Sequence, residues 1–353
     1  MSLSYQTERE HALEAVKRAA DLCRQVQAEM VRPLASQKDD RTPVTVADYG
    51  SQAFVCQSLA AVFPGDPVVA EETAEALRRP DQAEMLEYVT RYVRRALPGA
   101  TPADICGWID RGQADPAARF WTLDPVDGTK GFLRGEQYVI ALALIVGGRV
   151  QVGALACPNL TPWPPSLKGK GESDSPPLRG EGLGERSRQG GGVAFVAVRG
   201  QGAAMLPLNG DGPPRPIHVA ALTDPAGARF AESFEPAHAD QAAHQALARA
   251  LGITRPALRM DSQAKYGIVA RGEAAIYLRL PSPRKPDYQE KIWDHAAGAL
   301  LVEEAGGRVT DVRGADLDFG TGRTLSRNRG VIVSNGRLHE AILGALVSFF
   351  RAG

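Results

Sequence analysis

The feature that most constrains this chain is the stretch Trp121 to Phe132, which reads WTLDPVDGTKGF. Apolar residues at its start predict a short buried strand. Pro125 cannot continue a sheet ladder and Gly128 favours a turn, so Asp124 and Asp127 are expected on a tight loop where the strand ends. Two acids so close repel each other unless a cation lies between them, and hard ions such as Mg2+ prefer oxygen ligands. The loop predicts a metal site, although acids that only cap a helix give the same pattern.

The spacing of these two acids excludes one class of phosphatase. Enzymes that form an aspartyl-phosphate use D-x-D-G-T, in which the acids stand two residues apart. This chain has D-x-x-D-G-T, and the extra residue changes the direction of the second acid. Asp124 is therefore not predicted to be a covalent nucleophile.

Length and charge limit the class of protein. The chain has 353 residues, 44% hydrophobic and 23% charged, which allows one large domain or two packed ones. Its 41 basic and 41 acidic residues cancel, so neither nucleic-acid nor membrane binding is predicted, and phosphate recognition must come from a few placed cations. The chain shows no apolar signal core, no membrane-spanning run and no C-x-x-C pair. These features predict a protein of the reducing cytoplasm.

Apolar periodicity predicts alternating helices and strands. Helices are predicted over 8–36, 46–63, 81–97 and 337–350, and strands over 68–70, 138–146, 150–156, 274–280 and 331–334. Residues 99–118 are predicted as loop with a short strand around Trp108 and Ile109. The alternation in the second half indicates an α/β layer.

Residues 162–192 differ from the rest in composition. Gly, Pro, Ser and charged residues dominate, and PPSLKGKGE and SPPLRGEGLGE are imperfect copies of one another. Such a segment cannot bury enough apolar surface to offset the entropy of ordering it. It is predicted to be a disordered insertion at a hairpin tip. A basic binding arm is the alternative, although interspersed acids disfavour it.

Further acids stand at the ends of predicted elements. Glu71 ends a strand, Asp294 lies in the first turn of a helix, and Asp48 fits a capping box with the threonine three residues earlier. Each has an ordinary structural interpretation, as a solvated strand end, a dipole-matched acid or a helix cap. Together with Asp124 and Asp127, however, Glu71 and Asp294 would supply the oxygen ligands of a phosphoryl-transfer site with two or three Mg2+ ions.

Several longer motifs in the same order carry a family resemblance. The acid pair at the end of the 68–70 strand, WTLDPVDGTKGF and WDHAAG are similar to the lithium-sensitive, magnesium-dependent phosphatases of the inositol monophosphatase-like superfamily. That superfamily includes inositol monophosphatases, inositol polyphosphate 1-phosphatases, fructose bisphosphatases and 3'(2'),5'-bisphosphate nucleotidases. DGTKGFLRGEQY, CPNL, DSQAKY, YLRLP and YQEKIWDHAAG most resemble the nucleotidases of the yeast salt-tolerance type. The resemblance covers nearly the whole chain outside the insertion.

The resemblance implies a fold and a division of the chain. The fold is the layered αβαβα sandwich of that superfamily, of mixed α+β and α/β class. Residues 1–160 would form an α+β domain with most metal ligands, 161–192 the disordered insertion, and 193–353 an α/β domain with the nucleotide-binding residues. The metals would lie between the two domains.

The resemblance also implies a catalytic set. The metal-binding groups would be Glu71, Asp124, the Val126 carbonyl, Asp127 and Asp294. Asp48 and Thr129 would orient and deprotonate the attacking water, and the in-line attack would form no phosphoenzyme.

A second set would hold the substrate. Its residues would be Gly128, Thr129, His238, Ser262, Lys265, Arg279 and Asp294. Read alone, His238 is an ordinary loop histidine and Lys265 a solvated helix lysine. Arg279 stands in an apolar strand, where a buried guanidinium needs an anionic partner.

The function implied is hydrolysis of 3'-phosphoadenosine 5'-phosphate to AMP and phosphate, with the sulfated analogue as a second candidate substrate. The expected partner is thus a small bisphosphate nucleotide, bound by a monomer. Hydrolysis of inositol monophosphate or polyphosphates with the same metals is the enzymic alternative. An inactive nucleotide-binding scaffold is the other, and the presence of all four acids with Asp48 and Thr129 argues against it.

Overall fold

The computed structural model describes residues 4–29, 35–37, 43–161, 191–210, 212–234, 241–281, 285 and 287–352. Most of the predicted insertion, 162–190, lies outside these residues, so its disorder stays a prediction. The candidate nucleotide ligand His238 also lies outside them.

Nine α-helices fall in the described residues. They are α1 (Gln6–Glu29), α2 (Val46–Val62), α3 (Ala83–Ala96), α4 (Pro102–Asp110), α5 (Thr129–Leu133), α6 (Gln241–Ala250), α7 (Ala264–Ala270), α8 (Ala296–Glu304) and α9 (His339–Ala352). Short 3-10 turns occupy Ala76–Arg78, Pro80–Gln82, Pro225–Gly227 and Ile292–Asp294. Within the described part of the chain, no helix has the length and apolarity that a bilayer crossing needs.

A seven-stranded sheet organises the first part of the molecule. Its strands are β3 (Val68–Ala70), β4 (Arg119–Asp127), β5 (Val139–Val146), β6 (Arg149–Cys157), β7 (Val193–Val198), β8 (Ala203–Pro207) and β9 (Arg215–Pro216), in that spatial order. Only the β3–β4 pair is parallel; the others are antiparallel. The β5–β6 hairpin turns at Gly147 and Gly148, whose φ values of 57° and 74° favour glycine.

A second sheet of five strands follows. Its strands are β10 (Phe230–Glu232), β11 (Leu258–Arg259), β12 (Ile276–Arg279), β13 (Arg308–Thr310) and β14 (Val331–Ser334), in the order β11-β10-β12-β14-β13. A small hairpin of β1 (Ala35–Gln37) and β2 (Pro43–Thr45) precedes α2. The 8–36 helix prediction is wrong at its end, because Ala35 pairs with Thr45 in this hairpin.

Alternate residues of the strands face different cores, which defines five layers. Trp121 and Leu123 of β4 pack with α1 and α2 on one face of the first sheet. Phe120, from the same strand, belongs to a core shared with α7, α8 and one face of the second sheet. The other face of that sheet, including Leu278, packs against α6 and α9. The layer order is therefore α, β, α, β, α.

The first sheet continues past the predicted insertion. β7 pairs with β6 so that Val193 lies opposite Cys157, which makes residues 158–192 a connection between neighbouring antiparallel strands. The strands after residue 193 thus complete the first sheet, and the second sheet begins at Phe230. The domain division at 160 and 193 stays a prediction about folding units.

The prediction for residues 99–118 is wrong, because this segment contains α4. The Thr101 hydroxyl accepts from the Asp104 N–H at 3.2 Å, and the Thr101 N–H donates to the Asp104 carboxylate at 2.9 Å. This is a capping box, and Pro102 at the first helical position suits it. The sequence signal T-P-A-D was present.

Candidate metal centre and active site

The end of β4 carries the central pair of acids. Its pairing with β5 shifts register between Asp124 and Asp127, and Pro125, which has no N–H to donate, falls in this irregularity. Gly128 then turns the chain at φ 90°, where a Cβ would lie 3.1 Å from the Ser262 Cβ. The strand is longer than predicted: it includes Asp124 and Asp127, which pair with Ala141 and Val139, so the prediction of a loop after the strand is wrong.

Two further acids reach this edge from other elements. β3 runs parallel to β4 with Ala70 opposite Leu123, so Glu71 and Asp124 follow paired residues at the same sheet edge. The 3-10 turn that ends at Asp294 packs against β4. Asp294 therefore stands in this 3-10 turn. The sequence had predicted it in the first turn of the following helix, which begins only at Ala296.

The pKa shifts of these acids indicate that their charges interact. Burial, followed by the charges of Glu71, Asp127, Asp294 and Asp48, raises the pKa of Asp124 well above its usual range. Burial also raises the pKa of Asp294 well above its usual range; Arg279 opposes this shift, while Asp127 and Glu71 add to it. The cluster thus holds more negative charge than its surroundings compensate.

Asp127 is more favourably placed than its neighbours. Burial raises the pKa of Asp127, but Lys265 and the Gln263 N–H, which donates to Asp127 Oδ2 at 2.6 Å, act in the opposite direction. Asp124 is 2% exposed, and its Oδ1 accepts no hydrogen bond from the described residues. A buried carboxylate oxygen without a donor fits a metal ion as its missing partner.

A tighter group, Glu290, Asp294 and His295, also has oxygen and nitrogen atoms within 4.8 Å of one another. Two of its members, Glu290 and His295, are already engaged by protein groups. Glu290 accepts from Arg279 at 2.6 Å, and the two ring nitrogens of His295 contact Glu290 and Tyr266 at 3.1 and 2.7 Å. The oxygen-only set of Glu71, Asp124, Asp127 and Asp294 therefore fits a hard divalent cation better.

The structure places Asp48 both in a helix cap and in contact with Thr129, so it is compatible with the two interpretations that the sequence left open, a cap and a catalytic base. Its Oδ2 accepts from the Thr45 N–H at 2.8 Å and the Thr45 hydroxyl at 2.5 Å, which completes a capping box for α2. Its Oδ1 accepts from the Thr129 hydroxyl at 3.0 Å, across 81 residues of sequence. The helix cap therefore fixes Asp48 with one oxygen against Thr129, beside the acid cluster.

Lys265 is not the solvated lysine that its sequence allowed. It is 2% exposed on α7, its Nζ donates to the Met260 carbonyl at 3.3 Å, and it lies 5.2 Å from the Tyr277 ring centroid. Burial lowers the pKa of Lys265 to about 8, although the Asp127 charge opposes the shift. A buried, protonatable amine thus stands beside the metal-site acids.

Ser262 connects this cation to the central loop. Among the described residues it is the one non-glycine with positive φ, at 70°, a conformation that costs free energy and persists only where its surroundings enforce it. Its Oγ accepts from the Ala264 N–H at 3.3 Å, and its Cβ lies 3.1 Å from the position that a Cβ on Gly128 would take. Ser262 and Gly128 are therefore neighbours.

Arg279 has the anionic partner that its burial requires. Its Nη2 donates to Glu290 Oε2 at 2.6 Å and its Nε to Oε1 at 3.3 Å, while Asp294 Oδ2 lies 3.9 Å from Nη2. Burial acts to lower the pKa of Arg279, but the Glu290 carboxylate raises it well above its usual range. The Arg279 charge is thus shared with a protein carboxylate.

Sequence reasoning missed the supporting polar residues. Glu290 orders Arg279, and buried Gln52 on α2 bonds both backbone groups of Glu72, with its Nε2 at 2.6 Å from the carbonyl and its Oε1 at 2.9 Å from the N–H. For Gln52, a glutamine among the buried residues of α2, the polar position itself was a signal. For Glu290, no spacing or periodicity distinguished it from its exposed neighbours.

The α, β, α, β, α layer order is that of the sugar-phosphatase fold. The inositol monophosphatase family model matches residues 4–349, and this chain belongs to that family. Members of the family generally depend on Mg2+. Among solved structures, the chain is similar to an extragenic suppressor protein suhB from Bartonella henselae (TM-score 0.63, 18% identity, 97% and 98% of the chains covered). It also resembles an inositol monophosphatase from Anabaena (TM-score 0.60, 19% identity, 97% and 96% covered), which confirms the predicted αβαβα sandwich.

Curated relatives are closer in sequence. The chain is 42% identical over 361 residues to a 3'(2'),5'-bisphosphate nucleotidase of Emericella nidulans, covering 98% of each chain. It is 43% identical over 354 residues to the rice protein of that name, covering 97% and 94%. An Arabidopsis thaliana 3'(2'),5'-bisphosphate nucleotidase 1 is 40% identical over 356 residues, covering 98% and 96%. The predicted resemblance to this branch of the family is confirmed.

Proposed function

We propose that this chain is a phosphatase that removes the 3'-phosphate of 3'-phosphoadenosine 5'-phosphate and releases AMP and phosphate. The sulfated analogue is the second substrate we expect. The observation that carries the proposal is the undercompensated cluster of one buried and three partly buried acids at the end of β4, beside the Asp48–Thr129 pair. The names of the relatives, at 42% and 43% identity, support the nucleotide as substrate.

Two or three Mg2+ ions would be held by one set of oxygen groups. The set is Glu71, Asp124, Asp127, Asp294 and the Val126 carbonyl. When bound, the ions would supply charge neutralisation for the phosphate, activation of a water and stabilisation of the leaving oxygen.

Asp48 and Thr129 would accept the proton of the attacking water. Thr129 has one hydroxyl hydrogen, and donating it to Asp48 Oδ1 at 3.0 Å leaves its oxygen lone pairs to accept a hydrogen from water. Deprotonation through Thr129 would place the proton on Asp48, whose orientation the Thr45 cap fixes. No side chain need become phosphorylated in this route.

Gly128, Thr129 and Asp294 would also contact the substrate. Its non-reacting part would be held from the second half of the chain, by His238, Ser262, Lys265 and Arg279. Lys265 supports this best. It is buried beside Asp127 and, within the described residues, no carboxylate lies within ion-pair distance of its ammonium. With a pKa of about 8, it is mostly protonated at neutral pH and suits a phosphate.

A phosphate-release panel with saturating Mg2+ tests the proposal. The substrates are 3'-phosphoadenosine 5'-phosphate, its sulfated analogue, 3'-AMP, and inositol mono- and polyphosphates, each with and without lithium. We expect the bisphosphate nucleotide to have the highest kcat/KM and lithium to inhibit. A preference for inositol phosphates would overturn the nucleotide assignment, and no release from any substrate would favour a binding scaffold.

We further propose a monomer in a reducing compartment, the cytoplasm. The cysteines support this: Cys23, Cys56, Cys106 and Cys157 are all free and buried in the structure. Burial raises the pKa of Cys56 to about 12, which keeps it an unreactive thiol.

A further inference from the structure

The loop between β13 and β14 reaches the acid cluster and carries Arg323. The Arg323 carbonyl accepts from the Ile292 N–H at 3.2 Å, and the Leu325 N–H donates to the Glu290 carbonyl at 2.8 Å. Lys291 and Thr324 form an antiparallel bridge between these bonds. The loop is therefore fixed to the segment that leads into Asp294.

The Arg323 side chain extends from this loop to the first sheet. Its Nη2 donates to the Ala70 carbonyl, and its Nη1 donates to the Gly112 carbonyl at 3.5 Å. The Ala70 N–H donates to that same Gly112 carbonyl at 2.7 Å. Its guanidinium carbon lies 5.1 Å from the ring centroid of Trp293, within the range of a cation–π contact.

Two of these contacts, those with Ala70 and Trp293, are made one residue before a candidate metal ligand. Ala70 precedes Glu71 at the end of β3, and Trp293 precedes Asp294 at the end of the 3-10 turn. The two acids come from different elements, the end of β3 and the 3-10 turn, and like charges repel each other. The Arg323 side chain thus contacts the backbone of Ala70, next to Glu71, and the ring of Trp293, next to Asp294.

The contacts of Arg323 indicate that it fixes the positions of neighbouring groups rather than neutralising a carboxylate. Among the described residues, no carboxylate lies within 4.0 Å of its guanidinium, which donates to carbonyl oxygens instead. A planar guanidinium can bond two carbonyls at its edge while its face lies on an indole. The ammonium of lysine cannot do both.

We propose that Arg323 is a positioning residue that holds Glu71 and Asp294 at the separation bound divalent ions require, before any ion arrives. This inference rests on the proposed function, because it assigns Arg323 to the metal site of that activity. Residues that support metal ligands in this way typically change metal affinity by about 10–100-fold when replaced.

The test measures ion binding without substrate. Mn2+ and Mg2+ titrations by calorimetry compare the wild type with Arg323→Met, which keeps the apolar stem and removes the donors. We expect the dissociation constant to rise by about tenfold or more. Turnover at saturating Mg2+ should stay close to that of the wild type, so the defect appears in the Mg2+ activation midpoint rather than in kcat.

Arg327→Met is the matched control. Arg327 stands in the same loop, and its side chain is 76% exposed. Its Nη1 lies 3.0 Å from Asp318 Oδ2, so its ion-pair partner is not one of the candidate metal ligands. We expect unchanged ion binding in this variant. Arg323→Lys, which keeps the charge and one donor, should bind with intermediate affinity and decides the question if Arg323→Met fails to fold.

A dissociation constant within twofold of the wild-type value in Arg323→Met, or an equal rise in Arg327→Met, would overturn the positioning role of Arg323. Either result would leave the proposed function intact. Melting of the ion-free proteins separates this role from a general loss of stability, because a structural role would lower the melting temperature with an unchanged dissociation constant. A wild type that binds no divalent ion would overturn the proposed function and this inference together.

Discussion

The two sides of the site handle charge in opposite ways. At the end of β4, Asp124 is buried among like charges, and its Oδ1 has no hydrogen-bond partner among the described residues. Across the site, Arg279 is buried against Glu290 with two hydrogen bonds, and His295 and Tyr266 extend that network. The first side leaves the charge of Asp124 uncompensated by its protein neighbours, whereas the second side compensates the charge of Arg279 with Glu290.

This difference distinguishes a group of acids that needs a bound cation from an arginine that is already paired within the protein. An uncompensated buried carboxylate is destabilising until a cation binds, whereas a paired arginine is already satisfied. We therefore expect catalysis and ion-linked stability to depend on the β4 side. The Arg279 side should instead orient groups and discriminate between substrates.

Asp124→Asn should break the comparison most severely. Asparagine keeps the shape but removes one charge from the ion site, so we expect phosphate release to fall below detection under saturating Mg2+. The ion-free variant should melt no lower than the wild type, because the substitution relieves repulsion. Turnover near the wild-type value would show that Asp124 holds no essential ion.

Asp48→Asn should have the next largest effect. Loss of a general base typically lowers the rate by ~10²–10⁴-fold, and we expect kcat to fall within this range while Mg2+ binding is retained. The measurement is steady-state kinetics together with ion titration.

The chain offers a matched control for Asp48. Asp104 forms the same capping box with Thr101 at the start of α4, but on the exposed surface. Asp104→Asn should reproduce any capping loss of stability with normal turnover. If Asp48→Asn and Asp104→Asn differ only in melting temperature, the helix-cap role of Asp48 is sufficient and its role as base is wrong.

Arg279→Ala tests the other side. Removing one partner of a buried charged pair costs roughly 2–5 kcal/mol, so use of the bisphosphate should weaken by ~30-fold or more at ~1.4 kcal/mol per factor of ten. Hydrolysis of 3'-AMP, which has only the reacting phosphate, should change little. The ratio of kcat/KM for the two substrates is the measurement.

Because Glu290 pairs with Arg279, the Arg279→Ala test needs a second variant that also removes the Glu290 charge. In Arg279→Ala, Glu290 is left as a buried charge near Asp294, and any loss that both substrates share would come from that charge. The double variant Arg279→Ala with Glu290→Gln removes the pair together. A bisphosphate-specific loss that persists in the double variant assigns Arg279 to the second phosphate, whereas equal losses on both substrates make it structural.

The sequence predicted the β4 side better than the Arg279 side for a physical reason. Asp124 and Asp127 stand in one local motif whose proline and glycine determine the turn. Strand ends and capping boxes are also local, so Glu71 and Asp48 could be placed on their elements from neighbouring residues alone. The alternation of elements predicted an α/β layer in the second half, and the family resemblance implied the αβαβα layers.

Long-range pairing has no comparable local signal. Arg279 was recognised as needing an anion, but nothing near it identified Glu290, which is brought there by the turn before Asp294. Arg323 was missed for the same reason, since its contact with Ala70 spans 253 residues. The error at α4 had another cause: its capping box was readable, but the segment was short and only partly apolar.

The smallest effect we predict is a difference in how the stability of the ion-free protein depends on pH. Burial and neighbouring charges raise the folded-state pKa of Asp124 and Asp294 above the unfolded value near 3.8, so the folded state binds these protons more tightly. Their contribution is favourable at low pH and is lost as pH rises from about 4 through the folded pKa values. For Asp104 the sign is opposite, because hydrogen bonds from the Thr101 hydroxyl and N–H lower its pKa.

Denaturant unfolding between pH 5 and pH 8 in chelator measures this difference. The free energy of unfolding of ion-free Asp124→Asn, relative to the wild type, should increase with pH, while that of Asp104→Asn should stay at or below the wild-type value. Mg2+ at about 100 times its dissociation constant should then stabilise the wild type by about 2.7 kcal/mol and the Asp124→Asn variant by less. If Mg2+ stabilises both equally, or if the Asp124→Asn difference does not change with pH, the charge deficit at the end of β4 does not form the ion site.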